Sequence, residues 1–177
     1  MQDHVERSRE RARRRVEIDV LPSWYATRGR RRTLATVGLA AMAVFWADAV
    51  AAWALAPDTT MFTVHYALLV AASVVAAPVI VLLKAATRGI TSLAERYLDE
   101  RQVGERLRAH SVANRITLVL IALATTGVFL ATFRQGPEGE VPAFAVILIL
   151  YALGMTHLIL PLFVAAWRMP DPPPPDE

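Results

Sequence analysis

Cysteine is absent from the 177-residue chain. That excludes a disulfide framework, an iron–sulfur cluster and any thiolate metal site, and it leaves the redox compartment unread. Lysine is almost absent: Lys84 is the single lysine among 19 basic residues. With the heavy use of alanine, this arginine bias points to a high-GC bacterial genome. Charge is missing from long stretches. Residues 34–56, 62–84, 116–133 and 142–167 are nearly uncharged, and each is at least 18 residues long. Runs of that length read as membrane-spanning helices. The chain is 55% hydrophobic with a mean hydropathy of +0.37, whereas a soluble domain is about 45–50% apolar with its apolar residues dispersed by periodicity. A soluble core, a disordered chain and a disulfide scaffold are all excluded.

The first 33 residues are charged and contain no short apolar core before a small-residue cleavage site, so no secretory signal peptide is expected and span one stays as an anchor. The charges give the threading. Ten arginines precede span one, seven basic residues lie in 84–115, and Arg168 follows span four. The loops 57–61 and 134–141 hold only Arg134. Eighteen of 19 positive charges thus fall on one side, and the positive-inside rule makes that side cytoplasmic. The expected fold is an all-α integral membrane protein of the bacterial plasma (inner) membrane. Four transmembrane helices form two hairpins with both termini inside, and a charged cytoplasmic helix precedes each hairpin. The chain divides into a basic segment 1–33, hairpin 34–84, amphipathic helix 85–115, hairpin 116–167 and a proline-rich tail 168–177.

Boundary residues support these limits. Arg30, Arg31 and Arg32 sit where guanidinium groups snorkel to headgroups, and Trp24 and Tyr25 lie at the depth that amphipathic rings favour. These five are expected to touch the surface of an anionic inner leaflet, each arginine contributing about 1 kcal/mol. Pro57 and Asp58 end span one, Gly136-Pro137-Glu138-Gly139 marks a turn, and the tail from Pro170 reads as an extended polyproline stub.

Two cytoplasmic helices are expected. One covers residues 3–17, with Glu10 four residues before Arg14. The other begins at the capping pair Ser92/Glu95, with Leu93, Tyr97, Gly104, Leu107 and Ser111 down one thin apolar side. An offset of 84 aligns residues 31–47 with 115–131 at eight identical positions of seventeen, which suggests a duplicated hairpin in parallel orientation; such repeats occur in transporters, with the substrate site at their interface. The segment Leu98-Asp99-Glu100-Arg101-Gln102, preceded by Glu95-Arg96-Tyr97 and continuing through Arg106, Ala109 and Arg115-Ile116, resembles the Leu-Asp-Glu-Arg-Gln segment of small multi-pass membrane proteins from actinobacteria and related bacteria. The resemblance covers the 22 residues from Glu95 to Ile116. It implies an integral membrane protein, and it carries over no activity and no functional residue.

Chemistry-bearing residues are few. Asp48 is the only acidic residue within a span, about 12 Å from the outer edge. A charged aspartate near the bilayer centre costs about 2.5–3.5 kcal/mol, which calls for a partner or a proton. Ala41, Ala51 and Ala52 share its helical face and permit a close neighbour. Thr125 and Thr126 lie at similar depth in span three, and His65 lies shallower in span two. An outer-half polar site of Asp48, His65, Thr125 and Thr126 is the candidate for proton or cation binding; the simpler reading is a helix-packing hydrogen bond worth about 0.6 kcal/mol. His157, alone in span four, reads as a satisfied core histidine. No zinc-binding histidine spacing, nucleophile elbow or phosphate loop is found, so no catalytic residue, metal ligand or cofactor is assigned and no enzymatic activity is expected. The acidic residues Asp3, Glu6, Glu10, Glu17 and Asp19 dilute the N-terminal arginines, and membrane tethering explains those arginines without nucleic acid. The expected function is non-enzymatic: a scaffold, regulatory or accessory subunit acting through a protein partner or a homo-oligomer. The alternative is a small transporter or channel subunit using Asp48.

Overall fold

The computed structural model describes residues 21–56, 58–87, 100–135 and 140–171. After a single 3-10 turn at Pro22–Trp24 come four helices: α1 (Arg28–Leu55), α2 (Thr60–Ala86), α3 (Glu100–Gln135) and α4 (Ala143–Arg168). Each is long and apolar enough to cross a membrane. Helices are the form such sequences must take, because hydrocarbon offers no partner to a backbone N–H or C=O. The described chain is an all-α membrane protein.

Helix α1 is the centre. It packs against both α2 and α4, while α2 and α4 meet only slightly and α3 packs mainly on α4. The inward stripe of α1 runs through Arg31, Leu34, Ala35, Gly38, Ala41, Phe45, Asp48 and Ala52, the three-and-four spacing of one helical face. Leu34 packs with Leu83 and Leu162 at one end, and Ala52 packs with Met61 and Leu148 at the other. Both neighbours therefore run antiparallel to α1. Gly38 permits a close approach: a Cβ there would lie 2.6 Å from the Phe163 ring and 3.1 Å from Val79. Proline interrupts neither α2 at Pro78 nor α4 at Pro161, although each removes one backbone donor.

Two expectations are corrected. The amphipathic helix ending at 115 and the span beginning at 116 are one helix, continuous from Glu100 through Gly104 to Gln135. Its inward side is also not the apolar stripe read from the sequence. Leu107 is 65% exposed and Ser111 is exposed, whereas Ala109, Ala113 and Thr117 are buried. The contact with α4 selects small side chains that let the backbones approach over larger apolar ones. The expected helix at 3–17, the Ser92/Glu95 cap, the turn at 136–139 and the tail beyond Asp171 lie outside the described residues.

Candidate functional site

Asp48 faces inward from α1 at 3% exposure. Its Oδ2 lies 2.7 Å from Nδ1 of His65, one turn into α2. One proton occupies that short contact, whether the ring N–H donates to the carboxylate or the carboxyl O–H donates to the ring. The other oxygen, Oδ1, is buried with no hydrogen-bond partner among the described residues. Phe144 of α4 sets its ring edge-on to His65, with centroids 5.2 Å apart, and Tyr66 adds a tilted contact at 5.4 Å. Residues from three helices thus enclose a carboxyl–imidazole pair near the end of the bundle marked by Asp58. The pair can hold, exchange or pass a proton, and the orphaned oxygen can accept one more hydrogen bond.

Of the four residues expected at this site, the structure brings together Asp48 and His65. Thr125 and Thr126 are exposed on α3. Similar depth did not make them neighbours, because α3 docks on α4, the far side of the bundle from α2. His157 is not a core residue either: it is exposed on the outer side of α4.

The arginine end of the bundle departs further from the sequence reading. Trp24 and Arg30 are exposed, whereas Tyr25 and Arg31, read as surface contacts, are buried. Arg31 turns inward and donates to the carbonyls of Tyr25, Ala26, Met169 and Pro170 and to Oδ1 of Asp171. Asp171 also accepts the backbone N–H of Arg28, placing a carboxylate at the positive end of α1. One guanidinium therefore ties the segment before α1 to the segment after α4. Arg32 lies over the Trp167 ring at 5.1 Å, a cation–π contact. A run of three arginines before an apolar span signals orientation and carries no sign of which one turns in. The fork of donors needs converging carbonyls, and two of the four come from 138 and 139 residues away.

A second polar tie joins α1 to α4: Trp46 Nε1 donates to Thr156 Oγ1 at 3.2 Å, and Thr156 donates to the Ala152 carbonyl at 2.7 Å. Among the described residues no group of three or more histidine and acidic side chains could hold a metal ion. No family model, curated protein or solved structure matches the chain.

Proposed function

We propose that the protein is a non-enzymatic, multi-pass subunit of the bacterial plasma membrane that works by contact with another membrane helix. Its two hairpins would leave both termini in the cytoplasm, as the arginine distribution requires. The observation that carries this reading is His157. It lies about 16 Å from the Arg168 end of α4 and about 21 Å from the Ala143 end, and so near the middle of the span, yet its ring faces outward. Ionisable side chains within membranes face a bundle interior or a wet cavity; a partner helix over this face supplies that interior. Gly154, with nothing within 4 Å of a Cβ placed on it, leaves room for the approach. The partner is a second copy or an accessory-system protein.

The test is a photocrosslinking side chain in place of Leu158, which is 71% exposed beside His157. In native membranes it should give a discrete protein adduct that disappears with His157→Leu. Lipid adducts alone, unchanged by that substitution, would overturn the reading.

A second reading rests on a different observation, the Asp48–His65 pair with its orphaned carboxyl oxygen. Such a pair suits a proton or cation site in a small transporter or channel subunit. Purified protein in liposomes decides it. Asp48→Asn that stays folded but abolishes a measurable proton or cation flux favours transport, and no flux in the unmodified protein removes this reading.

A further inference from the structure

We propose that the groove between α3 and α4 at the arginine end binds the headgroup phosphate of an anionic phospholipid. A cavity of about 310 Å³ opens there, lined by Glu105, Arg108 and Ala109 of α3 and by Ala165, Arg168 and Met169 at the end of α4. That volume falls at the lower end of small-ligand sites. Arg108 and Arg168 form no ion pair among the described residues. The acid that lines the same cavity is already engaged: Glu105 accepts a hydrogen bond from Arg101 Nε at 3.2 Å. The site therefore presents two guanidiniums outside any ion pair among the described residues, and their planar forks match phosphate oxygens.

The position fits a lipid better than a dissolved anion. Arg168 closes the span, and its neighbour Trp167 carries Arg32 over its ring, so the cavity stands in the belt where aromatic and arginine side chains meet headgroups. Ala109 is 1% exposed and forms a small-residue floor, and Met169 adds an apolar wall. Beyond the cavity, the exposed apolar side chain of Ile116 continues along α3, giving an acyl chain a surface to lie on. Basic pockets between helices at the cytoplasmic face are suited to anionic headgroups. Only the choice of leaflet rests on the orientation proposed above, and binding in detergent does not depend on it.

The experiment takes the full chain, delipidated in neutral detergent, and titrates it with phosphatidylglycerol or phosphatidylcholine, reading bound lipid by native mass spectrometry. Phosphatidylglycerol should bind about tenfold more tightly than phosphatidylcholine, a preference that Arg108→Gln with Arg168→Gln removes, since each lost guanidinium takes charge-assisted hydrogen bonds with it. Arg101→Gln should keep the preference. Glu105→Gln, which removes the one acidic group from the cavity without disturbing the fork, should tighten phosphatidylglycerol binding severalfold, and it decides the matter if the double variant does not fold. Excess inorganic phosphate should leave the lipid bound. Equal binding of the two lipids, an undiminished preference in the folded double variant, no tightening with Glu105→Gln, or displacement of lipid by inorganic phosphate would each overturn the proposal, the last in favour of a dissolved phosphate as ligand.

Discussion

The Arg31 guanidinium is accommodated at 4% exposure because four backbone carbonyls and a carboxylate converge on it. The carbonyls matter more than the ion pair. Asp171 is 56% exposed on its side chain, so water screens its share of the interaction, while hydrogen bonds to a charged donor are worth about 1.5–3 kcal/mol each. Arg31→Gln should therefore destabilise the protein in detergent by about 2–4 kcal/mol, and Asp171→Asn by less than about 1 kcal/mol; thermal unfolding followed by circular dichroism ranks the two, and equal losses would contradict this division. Arg31→Lys should not rescue, because one ammonium cannot span the acceptors. The Asp48–His65 pair invites a cycle of the same kind. Asp48→Asn retains a side chain able to hydrogen-bond His65 and should cost no more than the roughly 0.6 kcal/mol typical of such bonds between membrane helices. His65→Leu leaves both carboxyl oxygens without a partner and should cost about 1–3 kcal/mol, most of which Asp48→Leu on the same background should restore. Sequence alone marked Asp48, since an acid in an apolar run needs a partner. It left that partner open among His65, Thr125 and Thr126, because depth along a helix is legible in sequence and rotation about it against three neighbours is not.

The helices themselves were legible, since runs of apolar residues without charge have one stable form in hydrocarbon. Their extents were less so. α1 starts at Arg28, six residues before the apolar run, because Thr27 caps it, its Oγ1 accepting the Arg30 N–H. α3 ignores the polar-to-apolar boundary at Ile116 altogether. Which residues pack was also hidden. Gly38 reads as one more small residue in an alanine-rich span, yet α2 and α4 both close on it. Phe163 is 3% exposed and cannot swing clear, so Gly38→Ala should cost about 1–3 kcal/mol through overpacking, measured as a lowered unfolding temperature in detergent; Gly127→Ala, with open space around it, should be neutral or slightly stabilising by helix propensity. At the connection from α1 to α2, the Thr60 backbone N–H and then its hydroxyl hold the Asp58 carboxyl below the ordinary aspartate range. A depressed carboxyl pKa favours the folded turn above the unfolded value of about 3.9 and loses that contribution as pH falls through the folded value. The Thr60 amide resonance should accordingly titrate with a midpoint below that of a free aspartate, and Asp58→Ala should abolish the titration.

At the scale of the molecule the bundle is lopsided. The most apolar stretch of α1 is 44% buried and that of α3 only 6%, although these are the helices that the internal repeat would equate. Whatever the origin of the eight identities, the two segments now meet different demands: one is a core helix, and the other leaves most of its apolar surface for lipid or for a partner. That division bears on insertion. α3 gains little from packing, so its hold in the membrane rests on its own hydropathy and on the charges that flank it. Positive charge near a span's end resists translocation, and Arg106, Arg108 and Arg115 precede the apolar half of α3 while Arg134 follows it. Reporter fusions active only in the cytoplasm should therefore give signal at Arg101 and at residue 177, and none at Thr59 or Gly136. Neutralising Arg106, Arg108 and Arg115 together should leave the Thr59 fusion silent and bring signal to Gly136, because α3 then keeps Arg134 beside its apolar half and, at its start, only the distant Arg101, and so loses the bias that holds its start inside. The corresponding loss of Arg30 and Arg32 should have less effect, since α1 is also held by α2 and α4 and by the inward-turned Arg31. Signal at Gly136 in the unmodified chain would break the four-span path, and a silent Gly136 after all three substitutions would show that contact with α4, rather than charge, sets the direction of α3.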